Sequence, residues 1–328
     1  MNEMTLKTKV IGVDIALDYT NCAVVDLRGN IIAQKSFSTK DYPDVNNFVS
    51  RLCEQIVNIA EENGGLLNMR SVGISAPSSN YRTGCIENAA NLPWKGVIPL
   101  SAILRDRLGM SVAVANDCHA SALGELAFGT AHGMTDFVVM TFKNGGVGSC
   151  IFTNGYPHLG ADGFAGEIGH TCVDVDGRLC GCGHRGCLER YVSVVGVVQT
   201  ARELMAQSDK PSLMRNIHDL TAPAVTLCCE KGDELALETY YRTGRILGTA
   251  LANYASMLNP QAIIIAGDIL AATKWFIQAT REAMEEHVFH NLKGGKVRIL
   301  NSILDPKESD LLGAAALAWS VKEYSLFK

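Results

Sequence analysis

KVIGVDIALDYTNCAVVDLRGNIIA, residues 9–33, holds three short apolar segments separated by two polar breaks. The run from Lys9 to Asp14 stops at Leu17 to Thr20 and resumes from Cys22 to Val25, and Arg28-Gly29-Asn30 then precedes Ile31 to Ala33. Turn residues of this kind between short apolar runs predict a three-stranded meander. Farther along, Phe137 to Phe142, a Gly-rich break, Val147 to Phe152 and a turn at Asn154-Gly155 repeat the same order of strand, loop, strand and turn. A repeated order predicts a duplicated architecture. Because the pattern returns and the residues do not, a chance likeness between two hairpins is the alternative.

The stretches around these meanders alternate in type. From Asp44 the apolar residues Phe48, Leu52, Ile56 and Ile59 fall on one helical face, and Gly64-Gly65 ends the segment. Ser71 to Ile74, followed by Ala76-Pro77, and Val112 to Ala115, followed by Asn116-Asp117, read as strands, with a helix over 122–128. Tyr240 to Leu258 has helical spacing, closes at Asn259-Pro260 and leads into a buried strand at Ala262 to Ile265; a last helix is expected near Leu311 to Val321. Strands and helices alternating on this scale predict an α/β protein with mixed sheets.

With 328 residues, 47% of them hydrophobic, the chain is long enough for two domains with extensive cores. The expected division is a small α/β domain of residues 1–118 plus 313–328 and a larger one of residues 119–312. No apolar run is long enough to span a bilayer and the start lacks a secretory signal, so the expected location is the cytoplasm. A formal charge of −5 without a basic block argues against nucleic acid as a partner. The 11 cysteines, diluted over a chain of this kind, are expected to be reduced.

One segment concentrates cysteine. GEIGHTCVDVDGRLCGCGHRGCLERY, residues 166–191, spaces His170, Cys180, Cys182 and Cys187 with nine, one and four residues between them. Four N/S donors of this type close a tetrahedral zinc shell of the structural kind, which would organise a Gly-rich loop that lacks a core. Reduced cysteines in a surface loop are the alternative. His184, inside the tight Cys182–Cys187 loop, and Cys172, in an alternating stretch, are less suited as ligands.

GEIGH followed by CGCGHRGCLE resembles the signature of the ROK family of sugar kinases and sugar-responsive repressors. NLPWKG at 91–96, NDCHASALGE at 116–125 and LNPQAIII at 258–265 follow in the family's order. The resemblance covers essentially the whole chain and is greatest to the bacterial glucokinases. It implies a duplicated actin-like ATPase (ribonuclease H-like) fold of two α/β domains with a cleft between them, a sugar in that cleft near the zinc, and a homo-oligomer.

Phosphorylating a sugar hydroxyl requires a carboxylate to accept its proton, a contribution of roughly 10²- to 10⁴-fold in rate. Asp117, at the junction of a buried strand and a helix, can face a cleft, and the matching family residue is the catalytic base. A helix N-cap is the other use of Asn116-Asp117. The resemblance further implies that Asn91, Asn116, Asp117, Glu167, His170 and Glu189 bind the sugar, with one His170 nitrogen on zinc and the other on a hydroxyl. A solvated carboxylate is the alternative for Glu167 and Glu189, and a turn before Leu-Pro for Asn91.

The nucleotide half departs from the family's kinases. They carry Asp-x-Gly-Gly-Thr after the first strand, where this chain has Asp14-Ile15-Ala16-Leu17-Asp18. Phosphate cradles need backbone amides to approach the anion, which a Cβ obstructs, and Asp18 would repel a phosphate. The second expected phosphate loop, Thr141 to Cys150, keeps Thr141, Gly145, Gly146 and Gly148, with Lys143 as a cation. Near the expected adenosine site Ala266-Gly267-Asp268 retains one glycine of a pair. The Ile-x-x-Asp-Tyr pattern after the first strand is more similar to the repressor branch.

The sequence therefore supports an ATP-dependent hexose kinase of glucokinase type, using ATP, Mg²⁺ and structural zinc. The alternative is a sugar-binding regulator that transfers nothing. A DNA-binding version is disfavoured, because only about ten residues precede the first strand and a helix-turn-helix needs several helices.

Overall fold

The computed structural model describes residues 6–89, 91–143 and 145–321. The chain forms two compact units. The first runs up to Gly133 and includes Leu159–Phe164 and the chain from Ile303 on; the second comprises Met134–His158 and Ala165–Ser302.

In the first unit, β1 (Lys9–Ile15), β2 (Tyr19–Asp26) and β3 (Ile31–Ser38) form the expected meander. Helix α1 (Val45–Glu61) starts where the Asp44 side chain accepts a hydrogen bond from Asn47 N at 3.0 Å. Its predicted stripe of Phe48, Leu52, Ile56 and Ile59 is buried against Ile11, Val13, Val72 and Ile74 of the sheet. Strand β4 (Met69–Ser75) returns parallel to β1. A small separate sheet of β5 (Ser79–Asn80), β6 (Cys85–Glu87) and β7 (Val97–Ile98) precedes α2 (Leu100–Leu108), β8 (Val112–Ala115) and α3 (Asp117–Phe128). The main sheet has the order β3-β2-β1-β4-β8.

The other face of this sheet is covered by the C-terminal helix Ser309–Ser320. The approach is so close that a Cβ at Gly73 would stand 2.1 Å from the carbonyl oxygen of Ala314, and one at Gly12 would stand 2.7 Å from that of Leu311. The Ser71 hydroxyl donates to the Ala318 carbonyl at 2.8 Å. Helix α3 packs along the same C-terminal helix, glycine against glycine at Gly124 and Gly313. This packing places the domain boundaries differently from the expected 1–118 plus 313–328 against 119–312. Residues 119–133 and 303–312 belong to the first unit, because α3 and the start of the C-terminal helix are one packed pair.

The second unit repeats the plan with β9 (Phe137–Lys143), β10 (Gly146–Thr153) and β11 (Tyr156–Pro157) as its meander. Asn154 and Gly155 have φ of 53° and 80°, the left-handed pair of a tight hairpin. Then come α4 (Glu189–Val192), α5 (Val194–Gln207), α6 (Ala222–Glu230) and α7 (Glu234–Leu258). Strand β12 (Ala262–Gly267), buried at every position, lies parallel to β9, and after α8 (Thr273–His287) β13 (Arg298–Asn301) lies parallel to β12. The order β11-β10-β9-β12-β13 reproduces that of the first sheet, so the duplication read from the pattern is one of topology. The Gly73 contact yields a prediction. Gly73→Ala should lower unfolding stability by about 1–3 kcal/mol in a urea titration, because the added methyl meets backbone that cannot yield.

Candidate functional site

The four predicted metal ligands converge. The ligand atoms of His170, Cys180, Cys182 and Cys187 all lie within 4.8 Å of one another. Cys180 Sγ is 3.7 Å from His170 Nδ1, and Cys182 Sγ is 3.5 Å from Cys187 Sγ. Around tetrahedral zinc, with Zn–S about 2.3 Å and Zn–N about 2.0 Å, neighbouring donors stand roughly 3.5–3.8 Å apart, so the set fits that ion. The sulfurs are too far apart for a disulfide, and all three cysteines are free. His184 Nδ1 lies 3.6 Å from Cys182 Sγ, yet His184 is outside the convergent set. Cys172 is bridged through its backbone to Cys187 and is exposed.

The thiols of this set differ. Burial pushes Cys180 up to about 12, whereas the backbone N–H of His184, and after it the His184 ring, hold Cys182 down to about 6. A divalent cation at the centre would ionise both.

His170 ends a short 3₁₀ turn, Ile168–His170, whose position is set by contact with β10. A Cβ at Gly169 would stand 2.0 Å from the Val147 carbonyl oxygen, so only glycine lets the turn lie on the strand. Thr171 Oγ1 donates to the Ile168 carbonyl at 2.8 Å and is hydrogen-bonded to Tyr254 of α7. With Nδ1 facing Cys180, His170 keeps Nε2 for another partner. Glu167 and His170 are exposed. Glu189, half-buried at the start of α4, accepts from Val147 N at 3.3 Å and from Cys180 Sγ at 3.2 Å. The second unit thus brings Glu189 to the metal set and holds it there.

Arg178 is a residue the motif reading misses. Its guanidinium donates to Glu203 Oε1 at 3.1 Å, to the carbonyls of Arg190 and Gly196 at 2.7 and 3.2 Å, and to Thr200 Oγ1 at 2.9 Å. It also stacks 4.6 Å over the Tyr191 ring. The metal loop is thereby fastened to α5. No local sequence signal marks it, since Glu203 and Thr200 are more than twenty positions away.

In the first unit, Asn116 is the N-cap of α3, its Oδ1 accepting from Cys118 N at 2.8 Å. The capping alternative therefore holds for Asn116, while Asp117 occupies the first helical position, half-buried, with Oδ1 accepting from Cys118 N at 2.9 Å. Asn91 is exposed.

The candidate nucleotide residues fall into two groups. Asp14 is the penultimate residue of β1, level with Ser75 of β4, and Ala16 N donates to the Tyr19 carbonyl at 3.1 Å to close the turn that carries Leu17 and Asp18. Asp18 does not stand as a bare negative charge, because Lys40 is ion-paired with it. In the second unit the expected phosphate loop lies on a tight hairpin. Lys143 pairs with Gly146, leaving two residues between the strands, and Gly145 turns with φ of 80°. Thr141 and Gly148 are directly paired within the ladder, and Gly267 lies beside Phe142. A Cβ at Gly145 would meet Val195 of α5 at 2.9 Å. Val195 also lines a cavity of about 1150 Å³ with Arg202, Leu220, Thr221, Leu227, Asp268 and Ile269.

The sequence profile of the ROK family matches residues 10–321. The chain belongs to the ROK family. It is similar to the glucokinase of Thermotoga maritima, 28% identical over 95% of this chain and 97% of that one. It is also similar to the xylose repressor of Caldicellulosiruptor bescii, 26% identical over 87% of this chain and 73% of that one. Among solved structures it resembles a ROK family glucokinase from Streptomyces griseus in complex with glucose and AMPPNP, with a TM-score of 0.73, 27% identity and coverage of 95% and 100%. A ROK family transcriptional regulator, a homolog of the E. coli MLC protein, matches with a TM-score of 0.83 at 24% identity, covering 95% and 78%.

The fold is accordingly that of the actin-like ATPases, shared by ROK kinases and ROK repressors. No helix among the described residues is long and apolar enough to cross a membrane. For this ROK protein the convergent ligand set predicts about one zinc per chain by elemental analysis. Cys180→Ser should reduce that to less than about half, and His184→Ala should leave it unchanged.

Proposed function

We propose that the protein binds a hexose and phosphorylates it with Mg-ATP in the manner of a glucokinase. The observation that carries this reading is Asp117. It sits half-buried at the first turn of α3, where the strands of the sheet end, and Asn116 already supplies the helix cap. A carboxylate at such a position can accept the proton of an attacking hydroxyl.

Asn91, Asn116 and Asp117 of the first unit, and Glu167, His170 and Glu189 of the second, are the residues this reading assigns to sugar binding, and zinc held by His170, Cys180, Cys182 and Cys187 would keep the His170 ring oriented. With four protein ligands it would be a structural ion and supply rigidity alone. The cavity lined by Val195 and Asp268 has the size and the apolar lining with a few polar groups that suit an adenosine, and Gly145, which approaches Val195, lies on the same hairpin as Thr141, Gly146 and Gly148. Asp14 would hold the Mg²⁺ that comes with the nucleotide substrate, and that ion would offset the charge of the phosphates. Similarity to a glucokinase solved with glucose and AMPPNP supports this assignment.

A second reading, sugar binding without transfer, is favoured by one feature. The turn after β1 carries Ala16 and Leu17 where the family's kinases have glycines, and the Lys40-paired Asp18 where they have threonine. The similarity to xylose repressors agrees with it.

ADP release from Mg-ATP across a panel of hexoses and N-acetylhexosamines separates the two. Sugar-dependent ADP release, lowered at least about 10²-fold by Asp117→Asn, is the expected result. No release from any sugar, with glucose still raising the melting temperature, would leave the regulator reading standing.

A further inference from the structure

The loop that carries the metal set contains a further cysteine, Cys172. It lies outside the convergent set and is free and exposed, whereas Cys187, a member of the set, is 1% exposed. A cysteine alone carries no function, but this one faces a fixed partner. Cys172 and Cys187 are bridged antiparallel. Val173 N donates to the Gly186 carbonyl at 2.8 Å and Leu188 N to the Thr171 carbonyl at 2.9 Å, so hydrogen bonds flank the pair on both sides.

This pairing brings the two side chains together. A pair flanked by hydrogen bonds, with none exchanged between its own members, is the close type in an antiparallel ladder, with Cα atoms about 4.5 Å apart and both side chains leaving on one face. Disulfides take Cα separations of roughly 4.4–6.8 Å, so a link here asks for side-chain rotation more than for backbone movement. The backbone around the pair is held. Gly186, with φ of 74°, is pressed so closely on the facing segment that a Cβ there would stand 1.7 Å from the Asp174 carbonyl oxygen, and its N–H donates to the Arg178 carbonyl at 2.9 Å. In the reduced protein Cys187 Sγ is turned toward Cys182 Sγ, 3.5 Å away.

The two sulfurs differ in what an oxidant meets. Cys187 is buried and, as a zinc ligand, shares its charge with the cation; Cys172 is exposed and stands outside the set. A peroxide therefore reaches Cys172 first. Its sulfur attacks one peroxide oxygen, the S–O bond forms, the O–O bond breaks and water leaves, which gives a sulfenic acid. The Cys187 thiolate then attacks that sulfur. The S–S bond forms, the S–O bond breaks, and the hydroxide that leaves takes a proton from solvent. Two electrons pass in all from the two sulfurs to the peroxide.

We propose that Cys172 is an oxidation site, at which hydrogen peroxide drives formation of a Cys172–Cys187 disulfide that takes one of the four ligands from the metal set. The three ligands that remain hold zinc less tightly, and a loop with little apolar core loses its fastening. His170 belongs to the same set, so its ring is then no longer oriented. The inference goes beyond the hexose-binding reading and rests on the four-ligand zinc site.

The test exposes the zinc-loaded full chain to hydrogen peroxide, for the unaltered protein and for Cys172→Ser. Two signals are followed: zinc freed to a colorimetric chelator, and cross-linked peptides identified by mass spectrometry after alkylation of the remaining thiols. The substitution alters a thiol outside the metal set, so both proteins start with about one zinc per chain. The expected result is a Cys172–Cys187 cross-link that appears together with zinc release, release slowed at least about tenfold in Cys172→Ser, and recovery when a dithiol reductant and zinc are added. Equal rates of release in the two proteins, with a cross-link between two of Cys180, Cys182 and Cys187, would show that peroxide attacks the ligands directly and would overturn the proposal. Cys172 oxidised to the sulfinic acid with zinc retained would also overturn it, because Cys187 would then have failed to capture the sulfenic acid. If the unaltered protein takes up no zinc, the zinc reading itself falls, and the proposal with it.

Discussion

Residues 166–191 have almost no apolar interior of their own, since the stretch from Thr171 to Asp176 and that from Gly181 to Arg185 are exposed throughout. What gives this loop one shape is the convergence of four ligand atoms within 4.8 Å, reinforced by Arg178 reaching across to α5. The candidate sugar ligands of the second unit depend on that constraint. His170 is itself a member of the set, and Glu189 is held beside it by the Val147 amide. A loop fastened by polar and ligand contacts can present charged groups to solvent, which a loop fastened by an apolar core would have to bury.

In the first unit the corresponding constraint is steric. The C-terminal helix lies so close to β1 and β4 that Gly12 and Gly73 admit no side chain, and its pairing with α3 through Gly313 and Gly124 fixes where α3 begins. Asp117 inherits its position from that packing. Both units use the same sheet order, and in both the candidate residues gather where the parallel strands end. Chain leaving the carboxyl ends of parallel strands is not needed for the ladder, so it is free to carry function.

The limits of the pattern reading have physical causes. The glycines from Gly145 to Gly148 read as a phosphate loop in the sequence, and the pairing of Lys143 with Gly146 shows that they lie on a tight turn. Asp18 looks repulsive to phosphate when it is considered alone, and its ion pair with Lys40 requires β3 to end beside it. Helix α6 is mixed in apolar pattern because it packs against both α5 and α7, which blurs the single stripe that makes α1 legible.

Local sequence determined what depends on local chemistry. The meander turns at Gly29 and Gly155, the stripe of α1, the Asn116 cap and the identity of the four metal-type ligands all follow from residue type and spacing within a few turns of chain. Tertiary structure alone decided the domain boundaries, the clamp by Arg178 and the pairing of Asp18 with Lys40. Each of these depends on segments far apart in sequence meeting through packing. Packing is set by volume and surface over the whole unit, and no short window of residues carries that information.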